Sequence, residues 1–211
     1  GTMVANANQN GFVLLWNLMH DDATLKATEC EVIQGHPGRI WSRAWSPDNK
    51  LLATAGADKT VKLWNVANQT SASQYEPTDG WIWDVAIRNN PSILITSDQS
   101  GHIRTWDSEQ SKVLSSYQVP TAGKRTFLAL HPDKQHAVVS GMNHPHIHYV
   151  DLKEGKLLWQ RGEYPGGVNA AEISPDGELL AVASESNELH VLDLDSGERL
   201  HTFPHEKLVD Y

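Results

Sequence analysis

QGHPGRIWSRAWSPDNKLLATAGADKTVKLWNV, residues 34–66, contains three apolar runs of strand length. IWSRAW ends at Ser46-Pro47-Asp48-Asn49, LLATAG ends at Ala57-Asp58-Lys59, and TVKLWNV closes the set. Strand-length runs parted by short polar turns predict an antiparallel meander. A fourth strand is expected across Ser73 to Tyr75. Four such strands make a small sheet with open edges, which cannot bury a core alone.

Outward from this stretch the pattern repeats. Trp16, Trp64, Trp106, Val150 and Leu192 hold one position in successive blocks, in FVLLWNL, TVKLWNV, HIRTWDS, HIHYVDL and ELHVLDL. Their spacings are 48, 42, 44 and 42. The turn before the second strand recurs as Ser46-Pro47-Asp48-Asn49, His131-Pro132-Asp133-Lys134 and Ser174-Pro175-Asp176-Gly177, with Asn89-Asn90-Pro91 in the block between the first two. Four strands per period in the low forties is the signature of a propeller.

These residues resemble the WD-repeat β-propeller family. The family's Gly-His is Gly35-His36, its inter-strand aspartate is Asp58, and its Trp-Asp is Trp64-Asn65, a departure at the last position. The resemblance implies that His36, Thr54, Asp58 and Trp64 share a hydrogen-bond network. A buried imidazole needs partners, and a carboxylate with a hydroxyl or an indole N–H supplies them. In the other blocks the Asp58 position is Asn10, Ser100, His144 and Ser186, and the His36 position is Thr78, Thr121 and Tyr164. Only one block carries the full set.

The expected fold is all-β, a propeller of four-stranded antiparallel blades with about five blades in residues 1–211, forming one domain. Full blades fall roughly at 29–66, 72–108, 113–152 and 156–194, with a split blade formed by 3–18 and 199–211. A closed five-bladed ring and a part of a larger ring both remain open, and the second would self-associate. Asn10-Gly11 reads as a hairpin turn, and Met19 to Thr28 as a longer polar loop. Gly1-Thr2 ahead of Met3 resembles a cloning remnant.

The chain has 211 residues, 39% hydrophobic and 20% charged, a globular composition. Net charge is −9 and no basic run occurs, which disfavours a nucleic-acid partner. No apolar run reaches the roughly 18 residues of a membrane span, and no signal-peptide pattern opens the chain. The single Cys30 forms no internal disulfide, so a reducing, cytoplasmic setting is expected.

Catalytic motifs are missing: there is no GxSxG, HExxH, phosphate-cradling glycine loop or Cys–His nucleophile pattern. Asp107, Asp151 and Asp193 recur after the Trp64-like position, as turn caps would. His144, His146 and His148 alternate along one predicted strand, with His131 and His136 not far away in sequence. A straight strand row spaces its imidazoles too widely for one ion, and Pro145 interrupts it, so no metal and no cofactor are expected. An enzymatic or metal-binding propeller of the quinoprotein type is the alternative, and it needs a central pocket of convergent polar groups.

The expectation is a non-enzymatic scaffold that holds a protein or peptide partner, with no nucleic-acid or membrane partner. The resemblance implies docking on the face holding the loops before the innermost strands, around the central channel. The positions flanking the first residue of each inner strand are Arg39 and Trp41, Trp81 and Trp83, Lys124 and Thr126, and Gly167 and Asn169. Ala57, Gln99, Asn143 and Glu185 precede the Asp58 position. Three of the eight tryptophans are in this set. Tryptophan and arginine dominate interface hot spots.

Overall fold

The computed structural model describes residues 2–21, 24–75, 80–88, 93–120, 126–142 and 144–204. All regular structure among them is antiparallel β-sheet. The chain divides into two compact units, Gly1–Ile87 and Arg88–Tyr211.

The first unit opens with β1 (Thr2–Ala7), β2 (Phe12–Asp21) and β3 (Thr24–Gln34), a three-stranded meander. The segment Met19 to Thr28, read from sequence as a loop, is instead the far end of a long hairpin. Met19 pairs with Lys26, His20 with Leu25 and Asp21 with Thr24. Met19, at 58%, and also Lys26 and Ala27 are exposed, so these three residues show no buried face that would mark a strand in the sequence.

The stretch 34–66 builds the next sheet, β4 (Ile40–Trp45), β5 (Leu51–Gly56) and β6 (Val61–Asn65), finished by β7 (Thr70–Tyr75). Ala5, Val13 and Leu15 pack with Ile40, Leu52, Trp64 and Val66 in one core. The Arg43 Nε donates to the Ala5 carbonyl at 3.0 Å and ties β4 to β1. The chain passes from one unit to the other within β8 (Ile82–Arg88).

In the second unit follow β9 (Ile93–Asp98), β10 (His102–Asp107) and β11 (Lys112–Gln118). A sheet of β12 (Thr126–Leu130), β13 (His136–Gly141), β14 (Ile147–Asp151) and β15 (Lys156–Arg161) comes next. The last sheet is β16 (Val168–Ile173), β17 (Leu179–Ser184), β18 (Glu188–Asp193) and β19 (Arg199–Pro204). Its core joins Ile147 and Tyr149 to Val168, Leu180, Val182, Leu192 and Leu194. The second strands β5, β9 and β13 are buried over nearly their whole length. A strand covered on both faces reads as a continuous apolar run rather than an alternation.

Each sequence block is offset from the sheets by one strand. The strand that opens a block, such as Glu29 to Ile33, is the outermost strand of the preceding sheet. Arg199–Pro204 pairs with β18, and the rest of the segment assigned to the split blade, residues 205–211, lies outside the described residues.

The turns explain the recurring punctuation. Asp107 and Asp151 each accept two backbone N–H groups of the turn that follows, and Asn65 does the same with its amide oxygen. The departure from Trp-Asp to Trp64-Asn65 therefore keeps the cap. Lys59 sits at φ 68° in the turn between β5 and β6, where Gly101 at φ 84° serves the next sheet. A side chain in this left-handed region costs about 1–2 kcal/mol, part of which glycine gives back in entropy. Lys59→Gly is expected to gain up to about 1 kcal/mol of stability, and a thermal melt showing no rise would refute that strain.

Candidate partner-docking site

One buried network fixes the frame beneath the site. His36, 1% exposed, donates from Nδ1 to the Asp58 carboxylate at 2.9 Å. Its Nε2 accepts from the Thr54 hydroxyl at 2.8 Å, and Thr54 Oγ1 accepts the Trp64 indole N–H at 2.9 Å. The chain thus runs in one direction, from the Trp64 indole N–H as first donor through Thr54 and His36 to the Asp58 carboxylate as last acceptor. Burial alone would raise the Asp58 pKa, but the hydrogen bond and charge of His36 hold it below the ordinary carboxylate value.

The next sheet keeps half of this arrangement. Trp106 Nε1 donates to Thr96 Oγ1 at 2.9 Å. The acid has moved two residues towards the N-terminus, to fully buried Asp98, which pairs with Arg104 and accepts the N–H groups of Ser100 and His102. In β5 that place is Gly56, where a Cβ would stand 2.9 Å from both His36 Nδ1 and Asp58 Oδ1. The histidine network and an acid at this place exclude each other.

Above this frame Arg39, Trp41, Trp81 and Trp83 come together. The Trp41 and Trp83 ring centroids are 4.7 Å apart, Trp81 and Trp83 5.5 Å, and Trp41 and Trp81 5.9 Å. The Arg39 guanidinium lies 4.7 Å over the Trp41 ring and donates to Gln9 Oε1 at 2.9 Å. Ser42 Oγ donates to Asp84 Oδ1 at 2.6 Å and joins β4 to β8 beneath the rings. Trp81 is 39% exposed. The indole N–H groups of Trp41 and Trp83 are buried and have no hydrogen-bond partner among the described residues.

A β-bulge directs Trp41. In the β4–β5 ladder Ile40 faces Gly56 and Ser42 faces Ala55, so Trp41 is the extra residue. Val168 and Ala170 flank a matching bulge that makes Asn169 the extra residue of β16, and it is exposed. Bulges re-aim side chains next to functional surfaces. The sequence carries no sign of either.

The remaining candidates separate. Gln99 and Glu185 are half-buried in turns. Thr126, expected at the docking surface, is buried, and its hydroxyl donates to the Asp98 carbonyl at 2.9 Å. A β-branched hydroxyl at a strand start serves a neighbouring carbonyl as readily as a ligand. Lys124 and Asn143 lie outside the described residues.

The histidine row does not form on one strand. Pro145 has no N–H for a ladder, and β14 begins only at Ile147. His144 and His148 are buried and His146 half-buried, and the rings of His146 and His148 lie 5.4 and 5.3 Å from that of His144. Tyr117 donates its hydroxyl to His148 Nδ1 at 2.8 Å. Burial, then the neighbouring His144 and His146, push the His148 pKa down to about 4. The folded state therefore holds His148 neutral while the unfolded chain titrates near 6.5. Stability is full above pH 6.5 and falls as pH drops from there towards 4, at up to one proton per molecule. His148→Gln, which keeps an acceptor for Tyr117, should flatten the stability profile in that window. Parallel profiles for variant and wild type would exclude the effect.

A cavity of about 540 Å³ is lined by Arg161, Tyr164, Glu198 and Arg199, among others. The Arg161 guanidinium is spent on the carbonyls of Ser196 and Gly197, and that of Arg199 lies 5.5 Å over the Tyr164 ring.

Residues 27–65 and 69–107 each match the family described as WD domain, G-beta repeat. These repeats are WD repeats. Repeats and sheets together are those of the WD-repeat β-propeller family. The chain is 28% identical over 181 residues to the serine-threonine kinase receptor-associated protein of Gallus gallus, covering 81% of this chain and 47% of that one. It is 23% identical over 187 residues to eukaryotic translation initiation factor 3 subunit I of Drosophila willistoni, 83% and 58%. To protein groucho of Drosophila melanogaster it is 22% identical over 201 residues, 94% and 27%. The chain thus spans between about a quarter and three fifths of these WD-repeat relatives. No helix among the described residues is long and apolar enough to cross a membrane.

Proposed function

We propose that this WD-repeat chain is a non-catalytic scaffold that holds a protein or peptide partner, with Arg39, Trp41, Trp81 and Trp83 as the anchor. The names of two relatives, a receptor-associated protein and a factor subunit, describe proteins that work in association with others. The observation that carries the reading is the tryptophan cluster itself. It offers an exposed indole face, an arginine stacked on the Trp41 ring and two indole N–H donors without partners among the described residues. Buried donors left unpaired cost about 1–3 kcal/mol each, and a partner carbonyl reaching them would recover part of that. Aromatic and arginine anchors of this kind dominate protein interfaces. The acidic chain fits such a role better than one on nucleic acid.

A pull-down with wild type and with Trp81→Ala tests the reading. Trp81 is the most exposed of the three, so its removal should leave the melting temperature close to that of wild type. Loss of a hot-spot tryptophan costs about 2 kcal/mol or more, a weakening of about thirtyfold. Partners retained by wild type and lost from a normally melting Trp81→Ala support the site. Equal recovery by both refutes it.

A further inference from the structure

The turn between β12 and β13 differs from its two counterparts in a way that folding does not require. Before β5 the Ser46 hydroxyl donates to Asp48 at 2.6 Å, and before β17 Ser174 donates to Asp176 at 2.5 Å. Leu51 and Leu179 start the strands that follow. Before β13 the serine is replaced by His131 and the leucine by His136, while the aspartate, Asp133, is kept. The backbone is the same in all three: the first residue donates to the carbonyl five residues on at 2.8–2.9 Å, and the fourth residue, Asn49, Lys134 or Gly177, has positive φ. Two imidazoles have therefore been added to a turn that closes without them.

Their placement converges on the carboxylate. His131 Nδ1 lies 2.9 Å from Asp133 Oδ1, and His136 Nδ1 lies 2.6 Å from Asp133 Oδ2. One ligand atom from each residue falls within 4.8 Å of the others. His131 Nδ1 also lies 3.1 Å from the Asp133 backbone nitrogen, so this one atom is held close to both the turn backbone and the carboxylate. The other His131 nitrogen, Nε2, is turned towards the neighbouring turn, where a Cβ on Gly177 would lie 2.5 Å away. The positions are held rather than loose. Tyr149 packs against both rings at 5.6 and 6.4 Å, and Asp133 Oδ1 is fixed by the N–H groups of Gln135 and His136.

We propose that His131, Asp133 and His136 form a site for one divalent transition-metal ion of the zinc, nickel or copper class. Two imidazole nitrogens and one carboxylate suit these metals, whereas magnesium and calcium favour all-oxygen sets. Ligands about 2.0–2.2 Å from a shared ion lie about 3–3.5 Å apart, so the two nitrogen–oxygen pairs need open by only a few tenths of an ångström. His136 gives up its Nδ1 proton and carries one on Nε2 instead. The side chains are 18%, 31% and 29% exposed, so water fills the remaining positions. This departs from the sequence expectation of no metal, which weighed the row His144, His146 and His148.

The sister turns supply the control. His131→Ser with His136→Leu installs the residues found at Ser46 and Leu51 and keeps the Asp133 cap, so the variant should fold. Tag-free protein stripped with chelator is titrated with zinc chloride by calorimetry. Wild type should bind one equivalent and melt higher with zinc than without. The double variant should bind at least about tenfold more weakly, since even outer contacts to a metal ligand change affinity by 10–100-fold. His146→Ala should bind as wild type does, and magnesium chloride should give no binding. No zinc binding by wild type, unchanged binding by the double variant, or equal loss with His146→Ala would overturn the proposal.

Discussion

Gly11→Ala is expected to lose about 4 kcal/mol or more and to unfold the first unit at temperatures where wild type is intact. Gly11 has φ 83°, a region that L side chains avoid. An added Cβ would stand 1.9 Å from the His36 carbonyl oxygen and 2.8 Å from that of Gly38. Both obstacles are backbone, so no rotamer relieves them. The Gly11 carbonyl also accepts the N–H groups of Gly35 and His36 at 2.9 and 3.0 Å, so any shift of the β1–β2 turn breaks these bonds. Against a typical total stability of about 5–15 kcal/mol, such a loss is decisive. Gly38→Ala is the control, because a Cβ there meets nothing within 4 Å. Urea unfolding followed by tryptophan emission should show Gly38→Ala near wild type and Gly11→Ala far below it. Coincident curves would show that the turn yields.

The strands were readable because their signals are local. Alternation and polar turns mark β4 to β6, and the repeat of those turns marks the sheets that follow. What escaped was set by backbone geometry or register. In the hairpin through Met19 and Lys26 these two paired residues are both exposed and leave no alternation to read. The bulges that free Trp41 and Asn169 depend on one extra residue in a ladder, which no residue type announces. Thr126 sits at a position shared with docking residues, yet its hydroxyl meets a carbonyl inside the protein. His131 and His136 are five residues apart, and only the closure of their turn brings both onto Asp133. Comparison with Ser46 and Leu51 in the matching turn would have singled them out from sequence.

The tryptophan cluster was the most legible part of the candidate site, since Arg39, Trp41, Trp81 and Trp83 hold corresponding places in consecutive blocks. Their mutual contact follows from β4 and β8 being joined by Ser42 and Asp84, one residue beyond Trp41 and one beyond Trp83. Rings packed at 4.7–5.9 Å form a close-packed apolar surface rather than an open cage. Such a surface suits a partner that lays a side chain and its carbonyl across the rings more than one that inserts a cation between them.

Asp58→Ala is expected to destabilise the chain by about 2–3 kcal/mol, and Ser100→Ala, at the matching position of the next sheet, by less than about 0.5 kcal/mol. Removing the Asp58 carboxylate takes the main partner of His36 Nδ1–H, leaving only Thr60 Oγ1 at 3.3 Å, and also frees the Thr60 N–H. The imidazole cannot turn to compensate, because its Nε2 is committed to Thr54 and through it to Trp64. Ser100 has no such chain behind it among the described residues. Its backbone N–H is held by Asp98 Oδ1, and that bond survives truncation of the side chain. The two substitutions thus remove side chains from equivalent turns and differ in what each leaves unpaired. Chemical denaturation of both variants measures the difference directly. Equal midpoints would mean that the His36–Asp58 bond adds nothing to stability, and that the sheet of β4 to β7 stands on its apolar packing alone.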